Sequence, residues 1–150
     1  MIRNFAAIAL ILASPAFAQA PAVEGAWLRL PAATGRPAAG YLSISGGATA
    51  DALVSAASPK AERIELHSMT MTDGVMRMRA ETSIAIPAGT VISFAPGGHH
   101  LMLFGLSPDV LPGQTVPLTL SFKSGAKITT SATARSPADD PAKASGHAHH

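Results

Sequence analysis

The chain has 150 residues, 47% of them hydrophobic and 13% charged, with a formal net charge of +2 and no cysteine. That length suits one domain with a real core, and the missing cysteine excludes disulfide staples, thiolate metal centres and a blue-copper electron-transfer site. Lys and Arg are scattered, and a single Trp and a single Tyr offer little for bases to stack on, which excludes a nucleic-acid-binding role.

Residues 1–4 carry one positive charge, at Arg3, and are followed by an apolar run from Phe5 to Ala13 and then by Ala16-Phe17-Ala18. This is the pattern of a secretory signal peptide with a small-x-small cleavage site; the run is too short for a permanent membrane span. Cleavage after Ala18 leaves residues 19–150 and, with Arg3 gone, a formal charge of +1. With no cysteine to carry a lipid, the expected product is soluble and exported, and is read as a monomer.

From Gly25 onward the chain reads as short strands separated by Gly, Pro, Ser or Asp. The expected strands are Ala26 to Leu30, Ala39 to Ser45, Ala52 to Ala57, Arg63 to Met71, Val75 to Ala80, Thr90 to Ala95, His100 to Phe104, Val116 to Phe122 and Ile128 to Ala134. Nine strands at this spacing predict an all-β sandwich with Greek-key connections over residues 19–134. Pro31, Pro37, Pro59, Pro87, Pro96, Pro108 and Pro112 fall at strand ends or in turns, where a missing donor is tolerated, and Ser107 to Gln114 is the place expected to hold a short helical turn. Trp27 is expected in the core. Residues 135–150 hold no large apolar side chain and predict a disordered tail, in which His147, His149 and His150 form a small metal-attracting tract. Imidazoles of this kind suit Cu(II) or zinc, so a secondary Cu(II) site is one reading of the tail and a purification remnant the other.

Ile64 to Leu106 holds every methionine except Met1 (Met69, Met71, Met76, Met78, Met102) and every histidine outside the tail (His67, His99, His100). Asp73-Gly74 lies between two alternating runs and predicts a two-residue hairpin. That register sets Met71 opposite Met76, Met69 opposite Met78 and His67 opposite Ala80. Side chains two apart share a face, so His67, Met69, Met71, Met76 and Met78 project from one side, with Met78 diagonal to His67. In the strand after Gly97-Gly98, His100, Met102 and Phe104 share a face opposite to His99, Leu101 and Leu103. A bulge at the glycines would exchange His99 for His100. Methionine is ordinarily core filler, but Leu101 and Leu103 already claim the interior beside Met102. Imidazoles together with neutral thioethers favour cuprous copper, because soft ligands select Cu(I). Ser68 faces away from His67, which removes the case for a serine hydrolase.

His67, ten residues, Met78, twenty-one residues, His100, one residue and Met102 resembles the copper-binding signature of the periplasmic PCu(A)C copper chaperones, a cupredoxin-like family formerly of unknown function. The flanking runs ELHSMTMTDGVMRMR, IPAG and PGGHHLMLFGL resemble the same family, from about Gly25 to Thr133. The resemblance implies Cu(I) ligation by His67, Met78, His100 and Met102. It also implies a non-enzymatic carrier that hands copper to the copper centre of cytochrome c oxidase, alone or with a thioredoxin-like copper chaperone. A copper-sequestering or resistance protein with no dedicated acceptor is the alternative. Met69 is either a further thioether ligand or part of a docking rim with Met71 and Met76, and Phe104 is a candidate shield for the metal.

Overall fold

The computed structural model describes residues 19–139, and the expected signal peptide and the histidines at 147, 149 and 150 lie outside them. Ten strands form: β1 Ala22–Arg29, β2 Ala38–Ser45, β3 Asp51–Ala57, β4 Arg63–Thr72, β5 Val75–Glu81, β6 Ile84–Ile86, β7 Val91–Phe94, β8 His100–Phe104, β9 Thr115–Phe122 and β10 Lys127–Arg135. They are hydrogen-bonded in the order β5-β4-β8-β2-β1-β10-β9-β3-β6, with β7 paired to β2. The all-β architecture expected from the sequence is thus observed, its ten strands joined in one hydrogen-bonded sheet. Among the described residues no helix is long and apolar enough to cross a membrane.

Most of the strands send alternate side chains inward, β5 being exposed along Val75 to Ala80. Leu28, Leu42, Ile44, Leu53, Leu66, Leu101, Leu103, Val116, Leu118, Leu120 and Phe122 meet in one buried core. In β1 the alternation breaks, because Val23 and Leu28, five positions apart, both pack on the interior. A bulge between Glu24 and Trp27 resolves this, and it contains Gly25 at φ 63°, a left-handed conformation that glycine adopts without a Cβ clash. The extra residue turns Trp27 and Arg29 to the outer face. β1 also pairs in parallel with β10, bringing Arg29 beside Arg135.

Four local expectations differ from the structure. The strand β6 was not anticipated; three residues, Ile84-Ala85-Ile86, are too few for alternation to register, yet both isoleucines are buried. Ser107 to Gln114 forms two separate turns, closed by Val110 N–H to Ser107 O at 3.2 Å and Gln114 N–H to Leu111 O at 3.1 Å, without a helix. The expected disorder does not begin at residue 135: Arg135 completes β10 and Pro137–Asp139 make a single 3-10 turn. Trp27 is only partly buried; it stacks on the outer face 4.7 Å from Tyr41, with the Arg135 guanidinium 4.7 Å above its ring.

Candidate metal centre

The hairpin of β4 and β5 closes as its sequence predicts. Thr72 faces Val75, Met71 faces Met76, Met69 faces Met78 and His67 faces Ala80. Asp73 at φ 52° and Gly74 at φ 77° are both left-handed, the conformation of a type I′ turn, whose twist matches that of the strands it joins. On the other side of β4, β8 pairs antiparallel with His67 opposite His100, Glu65 opposite Met102 and Arg63 opposite Phe104. The outer face of three adjacent strands therefore carries a ladder of rungs: Arg63 with Phe104, Glu65 with Met102, His67 with His100, Met69 with Met78, and Met71 with Met76. The inward residues of the same strands, Leu66, Leu101 and Leu103, are core. Parity alone separates the two sets.

The His100 Nε2 lies 3.2 Å from the Met78 Sδ. On its other side the His100 Nδ1 is 3.1 Å from the Gly98 carbonyl oxygen. A carbonyl can only accept, so Nδ1 carries the proton and donates it, and Nε2 presents a lone pair toward the sulfur. Burial pushes the His100 pKa below the usual imidazole value, and the neighbouring His67, Arg29 and His99 add to this against the opposing hydrogen bond to Gly98. Two electron-rich neutral donors thus face each other closely enough to share one soft cation.

The His67 ring lies 5.6 Å from that of His100, centroid to centroid. The His67 Nε2 is 2.8 Å from a Glu65 carboxylate oxygen. Hydrogen bonds from His67 first and then from Arg63 hold Glu65 below the ordinary carboxylate range, so the carboxylate is ionised and Nε2–H must be the donor. His67 Nδ1 is buried and has no hydrogen-bond partner among the described residues. Glu65 itself escaped the sequence reading, although its position two residues before His67 places it on the same face by the parity that located the methionines. It is fixed from behind: Arg63 Nε donates to it at 2.8 Å, while the Arg63 guanidinium sits 4.0 Å from the Phe104 ring centre.

Of the expected site residues, Met69, Met78, His100 and Met102 line one open cavity of about 560 Å³, with Arg29, Tyr41 and Pro137 among the other walls. His67 is buried beside this cavity and does not line it. Met71 and Met76 are exposed near the turn. Phe104 is occupied by Arg63 two rungs from His100 and does not lie over the cavity. His99 points away from the site toward Phe94, with ring centres 5.5 Å apart, so the regular strand, and not the bulged alternative, is what forms. Ser68 is buried and donates to Glu81 at 2.6 Å, away from the histidines. Among the described residues no three His, Cys, Asp or Glu side chains are grouped so as to hold a metal ion; the donors that converge are a mixture of nitrogen and sulfur.

Residues 21–134 match the family described as "Putative lipoprotein LpqE-like". The "Putative lipoprotein Lxx21020" of Leifsonia xyli subsp. xyli is 34% identical over an alignment of 119 residues that covers 74% of this chain and 71% of that protein. The chain belongs to the LpqE-like family. Among solved structures, the copper-bound PCuAC domain from PmoF2 matches this LpqE-like domain with a TM-score of 0.67 at 23% identity, over 81% of this chain and 97% of that one. The solution structure of Cu(I)-bound DR1885 from Deinococcus radiodurans matches with a TM-score of 0.57 at 28% identity, over 83% and 81% of the two chains. Its apo form gives 0.58 at 25% identity, over 91% and 94%. The PCuAC resemblance read from the motif and the cupredoxin-like fold it implied are both borne out by this family and these neighbours.

Proposed function

We propose that this chain is an exported copper carrier of the PCuAC type that binds one Cu(I) through His67, Met78, His100 and Met102 and passes it to an acceptor in the periplasm. The observation that carries the reading is the 3.2 Å approach of the His100 lone-pair nitrogen to the Met78 thioether, in a cavity that Met102 and Met69 also line. The copper-bound state of two structural neighbours supports it. The role is that of a carrier and not an enzyme.

The transfer chemistry follows from the donors. Thioethers are neutral and soft, so they hold cuprous ion without the charge that would make a thiolate slow to let go. Met78 is 49% exposed and sits on the edge strand, so an incoming ligand reaches the sulfur from solvent. His67 and His100 are buried and remain as the fixed half of the site while a thioether leaves. Oxidation to the harder Cu(II) weakens the sulfur ligation and disfavours retention.

The acceptor in this reading is the copper centre of cytochrome c oxidase, reached directly or with a thioredoxin-like copper chaperone. The histidines at 147, 149 and 150 supply a separate Cu(II) site. X-ray absorption on anaerobically Cu(I)-loaded protein tests the ligand set. Sulfur scattering is expected in the wild type and lost in the variant carrying both Met78→Ala and Met102→Ala; unchanged scattering contradicts the assignment. Mixing the loaded protein with a soluble apo copper-centre domain tests delivery. Absence of transfer, with copper sensitivity and normal oxidase assembly in a deletion strain, points instead to sequestration. Removing residues 140–150 is expected to lower Cu(II) stoichiometry and leave Cu(I) binding intact.

A further inference from the structure

Among the described residues the strand β5 ends the sheet, and from Val75 to Ala80 every residue is exposed. In a two-residue hairpin the pair that closes the turn exchanges its backbone hydrogen bonds, and the next pair does not. The Thr72–Val75, Thr70–Arg77 and Ser68–Arg79 rungs therefore turn their peptide groups toward β4. The alternate residues of β5, Met76, Met78 and Ala80, turn their N–H and C=O groups outward, along the free edge. Met78 thus lends its side chain to the proposed copper site and its backbone to an open sheet edge.

Such edges are templates for another strand, and charge is the usual guard against self-pairing. Here the guard is Arg77 and Arg79, on the back face of β5. An antiparallel pairing of two copies centred on Met78 would set Arg77 of one against Arg79 of the other twice over, and like charges directly opposite are destabilising. The same two guanidinium groups favour a strand of opposite charge. Arg79 is 3.6 Å from Glu81 with its side chain 68% exposed, a pair that solvent weakens and an incoming carboxylate replaces.

We infer that the free edge of β5 docks an extended segment of an acidic partner protein, added as a further strand, with acidic side chains against Arg77 and Arg79. Its alternate side chains fall on the site face beside Met76 and Met78. There a thiol, thioether or imidazole of the partner stands next to the most exposed of the proposed copper ligands. The inference rests on the transfer reading for its purpose, but the docking itself requires no metal.

The test is a nuclear magnetic resonance titration of the metal-free protein with the peptide acetyl-Met-Glu-Met-Glu-Met-Glu-Met-amide, its lysine counterpart and an N-methylated glutamate peptide. The acidic peptide is expected to shift the amides of Met76, Met78 and Ala80 and slow their hydrogen exchange. The lysine and N-methylated peptides are expected to bind about tenfold more weakly or not at all. The variant carrying both Arg77→Glu and Arg79→Glu, changed only at exposed positions, is expected to reverse the charge preference. Equal response to acidic and lysine peptides, shifts confined to the cavity around His100, or dimerisation through β5 in sedimentation overturns the inference. Because no copper is added, failure here leaves the Cu(I) titration standing, and failure of that titration leaves the docking result readable.

Discussion

Replacing Met78 with alanine separates a ligand from a core residue. A fully buried methionine side chain contributes roughly 1.5–3 kcal/mol through apolar burial, and Met78 is 49% exposed. The loss is therefore about 1 kcal/mol, with no closed cavity left behind, because the site opens to solvent. In a domain of this size that lowers the melting temperature by about 4 °C. The copper term is larger. Outer-shell partners of metal ligands cost about 10–100-fold in affinity, and a direct ligand sets a higher floor. Met78→Ala is expected to weaken Cu(I) binding by at least about 100-fold, or ~2.8 kcal/mol. Met71→Ala, 67% exposed at the far end of the same ribbon, is expected to change it by less than about threefold. Anaerobic competition against a chromophoric Cu(I) chelator measures both, and calorimetry on the metal-free proteins measures stability. A Met78→Ala protein that binds Cu(I) like the wild type, or that loses more than about 3 kcal/mol of stability, refutes the reasoning, because the thioether would then be a packing element.

Glu65→Gln keeps the shape of the His67 contact and removes the charge; about tenfold weaker Cu(I) binding is expected in the same competition assay, whereas tighter binding would mean that the carboxylate competes with copper for Nε2. Asp51 accepts from Ser124 Oγ at 2.5 Å and Ser124 N–H at 3.0 Å, and its pKa is lowered, chiefly by that hydroxyl. A lowered folded-state pKa means the unfolded chain takes up the proton first, so this stabilisation is complete above about pH 4 and is lost as pH falls through the folded value. Urea midpoints should show Asp51→Asn trailing the wild type at pH 6 and converging with it in acid. Leu101→Ala empties a fully buried core position and is expected to cost ~2.7–5 kcal/mol in urea unfolding, while Cu(I) affinity below the transition moves by less than about threefold.

The hairpin was legible in the sequence because Asp73-Gly74 admits few alternatives: two left-handed residues between alternating strands fix the register, and the register fixes which methionines share a face. The same parity placed His100 and Met102 opposite Leu101 and Leu103. What the sequence did not disclose is which strands lie side by side. Nothing in the runs around His67 and His100 states that β8 sits next to β4 with those histidines directly opposed; that pairing is non-local and is set by the packing of Leu66, Leu101 and Leu103 beneath it. Glu65 was overlooked because a carboxylate beside an arginine reads as an ordinary surface pair until the strand across from it is known. Trp27 was misplaced because its inward or outward direction depends on a bulge whose only trace is Gly25, and β6 because three residues carry too little pattern. The signal peptide and the tail histidines lie outside the described residues and rest on composition alone.

The alternation along β8 has a genetic corollary. Donors and hydrocarbon interleave residue by residue, so inserting or deleting one codon between Gly98 and Phe104 would turn leucines to the solvent and imidazole and thioether to the interior at a stroke. Drift in this segment is thereby confined to point replacements. The outward positions are free to change in chemistry without disturbing the hydrophobic inventory, provided the reading of every second residue is preserved.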